Sequence, residues 1–138
     1  MDKALNYLGL ARKAGKAELG EEPVNGVTRA LRAALVIVAS DASDHTWRRA
    51  NSFVAGTSQC VLRLPFTKDQ LGFAVGRQEL AIAALTDAAL AQAFVKALPQ
   101  TEKTVQVLEA LDEKVRRAKQ RQKEAKAHQK NVRFGKKK

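Results

Sequence analysis

The chain has 138 residues, enough for one domain with an appendage, and carries a formal net charge of +11 from 25 Lys and Arg against 14 Asp and Glu. Hydrophobic residues make up 45% and aromatics 5%, so the expected core is aliphatic and alanine-rich, and the single cysteine, Cys60, excludes an internal disulfide framework. The longest apolar run, residues 33–39, is too short to cross a bilayer, and the opening Asp2-Lys3 leads into a mixed polar helix rather than a secretory leader; a cytoplasmic protein with no membrane partner is expected.

Residues 3–14, "KALNYLGLARKA", place Leu5, Leu8 and Ala11 at helical spacing, with Gly15 as the stop. "AEL" at 17–19 reads as a short strand, and Gly20 punctuates it. A second helix follows, with Pro23 in its first turn, and is expected to run to about Ala33. Gly26 inside it is unfavourable by about 1 kcal/mol relative to alanine. "ALVIVAS" is a continuous β-branched run, the pattern of a strand covered on both faces. "DASDHT" has turn and cap chemistry. A third helix is expected over 45–55 and a strand over 59–64, stopped by Pro65. A fourth helix runs over 67–76 from Thr67 to Gly76. A strand at 80–85 and a helix at 86–98, capped by Thr86 or Asp87, complete the pattern.

Alternating short strands and helices predict an α/β fold: a three-layer α/β/α sandwich on a small mixed four-stranded sheet, spanning 1–98. Residues 99–138 are expected to form a basic C-terminal extension, helical or disordered. Val105, Leu108 and Leu111 give it a short apolar stripe. Beyond Val115 only a solvated or conditional helix is expected, with "NVRFGKKK" as a disordered tip. The charge is concentrated here. Residues 113–138 hold 12 Lys or Arg against two acids, for +10, whereas residues 1–112 hold 13 against 12, for +1.

Catalytic chemistry finds little support. Ser40, Asp41, Ser43, Asp44 and His45 are adjacent in sequence, but a nucleophile-base-acid set must meet in space; helix capping by Ser43 or Asp44 explains these residue types. The segment "GEEPVNG" lacks the spacing and lysine of a phosphate loop. His45, His128 and Cys60 make no metal-ligand set. Trp47 reads as a packing residue. A non-enzyme without cofactor or small-molecule substrate is expected. Binding is better supported. At Gly20 a strand-glycine-helix junction aims free amides outward. Glu21 and Glu22 beside it accept hydrogen bonds from base edges, or simply complement the helix dipole.

The order "GEEPV…TRALRAALVIVASDAS", "PFTKDQLGFAVGR" and "LAIAALTD" resembles the kink-turn RNA-binding ribosomal protein family, the L-seven-Ae type, and within it the small bacterial stand-alone members. The likeness runs from about Leu8 to Leu98; "VIVASDAS" and "QLGFAVGR" are its most specific pieces. It implies an α/β/α sandwich recognising sheared G·A pairs in sharply bent RNA. Gly20 matches the family's glycine and Glu22 its base reader. Gly26 falls where the family has a Lys or Arg, and Arg29, one turn on and on nearly the same face, is the substitute. The second element is the loop of Asp41, Ala42 and Ser43. The third is Gly76, Arg77, Gln78 and Glu79, which would meet extruded or stacked nucleotides; it is more polar here than in the family.

Lys114, Arg116, Arg117, Lys119, Arg121 and Lys123 are the expected phosphate contacts of the tail; a solubility extension or an acidic protein partner are the other readings. The function expected is recognition of structured RNA, ribosomal RNA being one candidate. The alternatives are a protein-interaction module of the same fold with an eroded RNA face, an accessory ribosome-associated protein, and a fragment of a ribose-methylating enzyme. The residues do not specify oligomeric state.

Overall fold

The computed structural model describes residues 2–135. In chain order the elements are α1 (Lys3–Lys13), β1 (Ala17–Leu19), α2 (Glu21–Arg29), β2 (Leu35–Val38), α3 (Asp44–Val54), β3 (Cys60–Arg63), α4 (Lys68–Val75), β4 (Ile82–Leu85), α5 (Ala88–Lys96) and α6 (Glu102–Gly135). The sheet has the order β1-β4-β2-β3, with β4 antiparallel to both neighbours and β2 parallel to β3. It is the expected small mixed sheet. Helices α2 and α3 pack together on it as one layer, while α1, α4 and α5 form another, with α6 against α5 and β3.

The two central strands are covered on both faces. All four residues of β2, and all four of β4, are buried, as a continuous aliphatic run requires. Phe94, Leu8, Leu35, Ile37, Leu64, Leu71, Leu85 and Leu111 are the largest fully buried side chains. Capping chemistry fixes the helix starts. Ser43 Oγ accepts from Thr46 N on α3, Asp87 Oδ1 from Leu90 N on α5, and Thr67 and Gln70 form a reciprocal capping box on α4.

Helix α2 stops at Arg29, short of the expected Ala33. Leu31 N donates to Thr28 O and Arg32 N to Val27 O, the paired bonds that close a helix around a left-handed residue. That residue is Leu31, with φ of 58°, where glycine is the usual occupant. Gln59 then ties this turn to the sheet: its Oε1 accepts from Ala33 N at 3.0 Å and its Nε2 donates to Thr28 O at 3.1 Å. Gln59 is buried and fully engaged.

The apolar core does not end at residue 98. In α6, Thr104, Val107 and Leu111 are buried and Leu108 packs beside them. The stripe is offset from the expected one, since Val105 points outward at 47% exposure. The helix then continues without a break to Gly135, so residues 131–135 are helical where a disordered tip was expected. Lys136, Lys137 and Lys138 lie outside the described residues. Among the described residues no helix is long and apolar enough to cross a membrane, and no group of His, Cys, Asp or Glu is arranged to hold a metal ion.

Candidate nucleic-acid interface

Strand register brings three separate loops to one end of the sheet. Leu19 pairs with Ala83, Val38 with Ile82, and Val38 with Arg63. Strands β1, β2 and β3 therefore finish where β4 begins. The turns after β1 and β2, and the loop before β4, all open on this edge, here called the loop end. Hydrogen bonds lock them together. Gly20 N donates to Ile82 O at 3.0 Å, Ser40 N to Phe66 O at 2.8 Å, Lys68 N to Asp41 Oδ1 at 2.8 Å, and Leu80 N to Lys68 O at 3.0 Å.

Each sequence-selected residue has a definite place in this frame. Gly20 is the N-cap of α2 with φ of 98°, which only glycine adopts readily. No side chain caps this helix, so the amides of Glu21 and Glu22 remain available at its start. Glu21 is ion-paired with Arg49 of α3, whose guanidinium also lies 5.3 Å from the Phe53 ring centroid. Glu22, Gly26 and Arg29 are all exposed along α2. A Cβ added at Gly26 would meet no atom within 4 Å, so the fold itself gives no reason for glycine there.

Asp41 and Ser43 carry structural duties: Asp41 accepts from the first amide of α4, and Ser43 caps α3. His45 lies exposed in the first turn of α3. In the third loop Gly76 takes the left-handed conformation that ends α4, and Arg77, Gln78 and Glu79 are exposed. This loop is seated on Gly72. A Cβ at position 72 would fall 2.6 Å from Glu79 Cα and 2.8 Å from Arg77 O. The glycine in "QLGFAVGR" thus lets the loop lie directly against helix α4.

Trp47 packs against the core, as expected. It is half-buried, and the Arg63 guanidinium lies 4.7 Å from its ring centroid. Both border an apolar cavity of about 480 Å³ with Leu64, Pro65 and Pro99. Arg63, Arg49 and Lys68 were not selected from the sequence. Arg63 is the exposed last residue of β3, after buried Val61 and Leu62, and a cation closing an apolar strand was a usable signal; nothing local marks the other two.

The tail cations do not join the loops. Lys114, Arg117, Lys119 and Arg121 border residues 31–34, 56–59 and 86–89, the segments at the opposite end of the sheet, where Leu35 pairs with Leu85 and Cys60. Arg116 and Lys123 are exposed on the same helix, and Arg116 and Arg117 both pair with Glu113 at 2.9 and 3.0 Å. Burial lowers the pKa of the Lys114 ammonium from its ordinary 10.5, with Cys60 acting weakly the other way.

No family model and no curated protein matches the chain. Among solved structures, a protein of unknown function from Bacillus halodurans C is similar at 28% identity and a TM-score of 0.65, over 70% of this chain and 97% of that one. The 15.5 kD RNA-binding protein of Giardia lamblia is similar at 19% identity and a TM-score of 0.57, over 78% of this chain and 85% of its own. The second likeness is one of fold.

Proposed function

We propose that this protein is a non-catalytic RNA-binding protein of the kink-turn type, reading bent RNA with its loop end. The observation that carries the reading is the union of three loops, distant in sequence, through hydrogen bonds at one edge of a four-stranded sheet. They offer outward amides at Glu21 and Glu22, acceptors at Glu22 and Glu79, and the cations Arg29 and Arg77. Such a surface of mixed sign suits base edges and backbone together. The fold shared with an RNA-binding protein, and the resemblance of "VIVASDAS" and "QLGFAVGR" to the kink-turn family, point the same way. The cytoplasm is the compartment that fits this reading.

A second reading is a protein-interaction module with an eroded RNA face. It is favoured by the empty position at Gly26 and by the engagement of Glu21, Asp41 and Ser43 within the protein.

Gel-shift titration of the full chain separates the two. Kink-turn RNA should be bound in preference to a plain duplex of the same length under competitor. Arg77→Ala should weaken that binding by about 1 kcal/mol or more. Equal affinity for both RNAs would favour the interaction module, and an unchanged titration for Arg77→Ala would remove the third loop from the site.

A further inference from the structure

The end of the sheet remote from the loops has a binding geometry of its own. A cleft of about 660 Å³ opens there between α6 and the turns that precede β2 and β3 and follow β4. Its globular wall presents Arg32. Its helical wall presents Lys114, Arg117, Lys119 and Arg121. Asp87 is the one carboxylate among these lining residues, and its Oδ1 is engaged as the cap of α5 at 3.0 Å from Leu90 N. Glu113 holds Arg117 only through a solvent-exposed pair, of the kind that contributes little. A bound anion therefore displaces it readily. Lys114 stands half-buried without a carboxylate partner among the ion pairs of the described residues, and burial already disfavours its charge; a phosphate beside it would remove that penalty.

We infer that this cleft is a second site for an RNA backbone, so that one molecule holds two RNA segments, one at each end of its sheet. The inference rests on the RNA-binding reading of the loop end. Its occupant is a polyanion rather than a small anion, because the cations form a row. Lys114, Arg117 and Arg121 repeat along one face of α6 at three and four residues, about 4.5–6 Å apart along the axis, and Lys123 and Lys126 continue exposed beyond the cleft. Guanidinium groups on two facing walls suit phosphates approached from both sides. A structureless basic arm would need no wall, and Arg32 would be irrelevant to it.

The test uses full-length protein, kink-turn RNA fixed to beads, and a labelled plain RNA duplex in solution at physiological salt. The duplex is expected on the beads only when protein is present. Arg32→Glu, and Arg117→Glu combined with Arg121→Glu, should each cut its retention about tenfold while the bead-bound protein stays constant, given the steep dependence of backbone binding on neutralising charge. Circular dichroism of each variant checks the fold, and Arg32→Lys should retain the duplex. Retention unchanged by Arg32→Glu would overturn the walled cleft in favour of a non-specific arm. Bead-bound protein that captures no duplex would overturn the second site, as would capture of an acidic peptide in its place. If the beads hold no protein, yet the duplex binds free protein and needs Arg32, the kink-turn reading fails and the cleft stands.

Discussion

The two ends of this sheet solve different problems. At the loop end carboxylates and cations alternate, and backbone amides and carbonyls tie one loop to the next. At the far end five cations face a single, already engaged carboxylate across a cleft. The first arrangement is braced by hydrogen bonds and nearly balanced in charge, suited to reading shape. The second is strongly positive, suited to holding phosphates whatever their sequence. A net charge of +11 therefore describes one end of the molecule and misrepresents the other.

The sharpest way to break this contrast is Gly72→Ala. The added methyl would collide with the backbone of Arg77 and Glu79, and overpacking of this kind is expected to destabilise the fold by roughly 2–3 kcal/mol. Urea denaturation should show that loss. Kink-turn affinity should fall with it, while duplex binding at the far end persists in the folded fraction. Loop-end binding that survives the substitution would separate the third loop from recognition.

Two smaller substitutions act on α2 and on the turn that closes it. Leu31→Gly relieves a left-handed leucine that is 67% exposed; after allowance for the freedom of glycine in the unfolded chain it should stabilise the protein by about 0.5–1 kcal/mol, seen as a raised Tm. Gly26→Ala should stabilise by a similar amount, about 0.5–1 kcal/mol, because its methyl enters open space. If RNA approaches α2 closely there, affinity falls although stability rises. A rise in both would take this face of α2 out of the interface.

The smallest effect concerns Lys114. Its pKa is lowered in the fold, so the unfolded chain binds more protons as pH approaches the ordinary value of 10.5. Stability should then rise with pH up to that value, relative to a protein without this group. Lys114→Met should abolish that rise in denaturation curves recorded from neutral to alkaline pH. A persisting rise would assign it to another group.

Much of the fold was legible in the sequence for local reasons. Ser43, Thr67 and Asp87 announce the helices they cap, and "ALVIVAS" announces a strand buried on both faces. The end of α2 was not legible, because Leu31 adopts a conformation that its residue type disfavours. The stripe of α6 was misread by one or two residues, since Thr104 takes a buried place through hydrogen bonds to Thr101 and Gln100 that composition does not reveal. The loops at 20–22, 41–43 and 76–79 were recognisable as a set only through family likeness; strand order then brings them together. Packing of α6 against α5 and β3 carries the basic helix to the opposite end. No window of sequence contains that fact, so the tail's separation from the loops emerged only in three dimensions.

The brevity of the strands has a consequence for how the two ends sense one another. Strands β2 and β4 are four residues long, a spacer of about 13 Å. The Debye length is about 8 Å at physiological ionic strength and about 30 Å at 0.01 M. In dilute buffer a polyanion on one edge is therefore felt at the other, and occupancy of the two becomes antagonistic. In cellular salt the same spacer exceeds the screening length, so two bound polyanions would be expected to be held nearly independently.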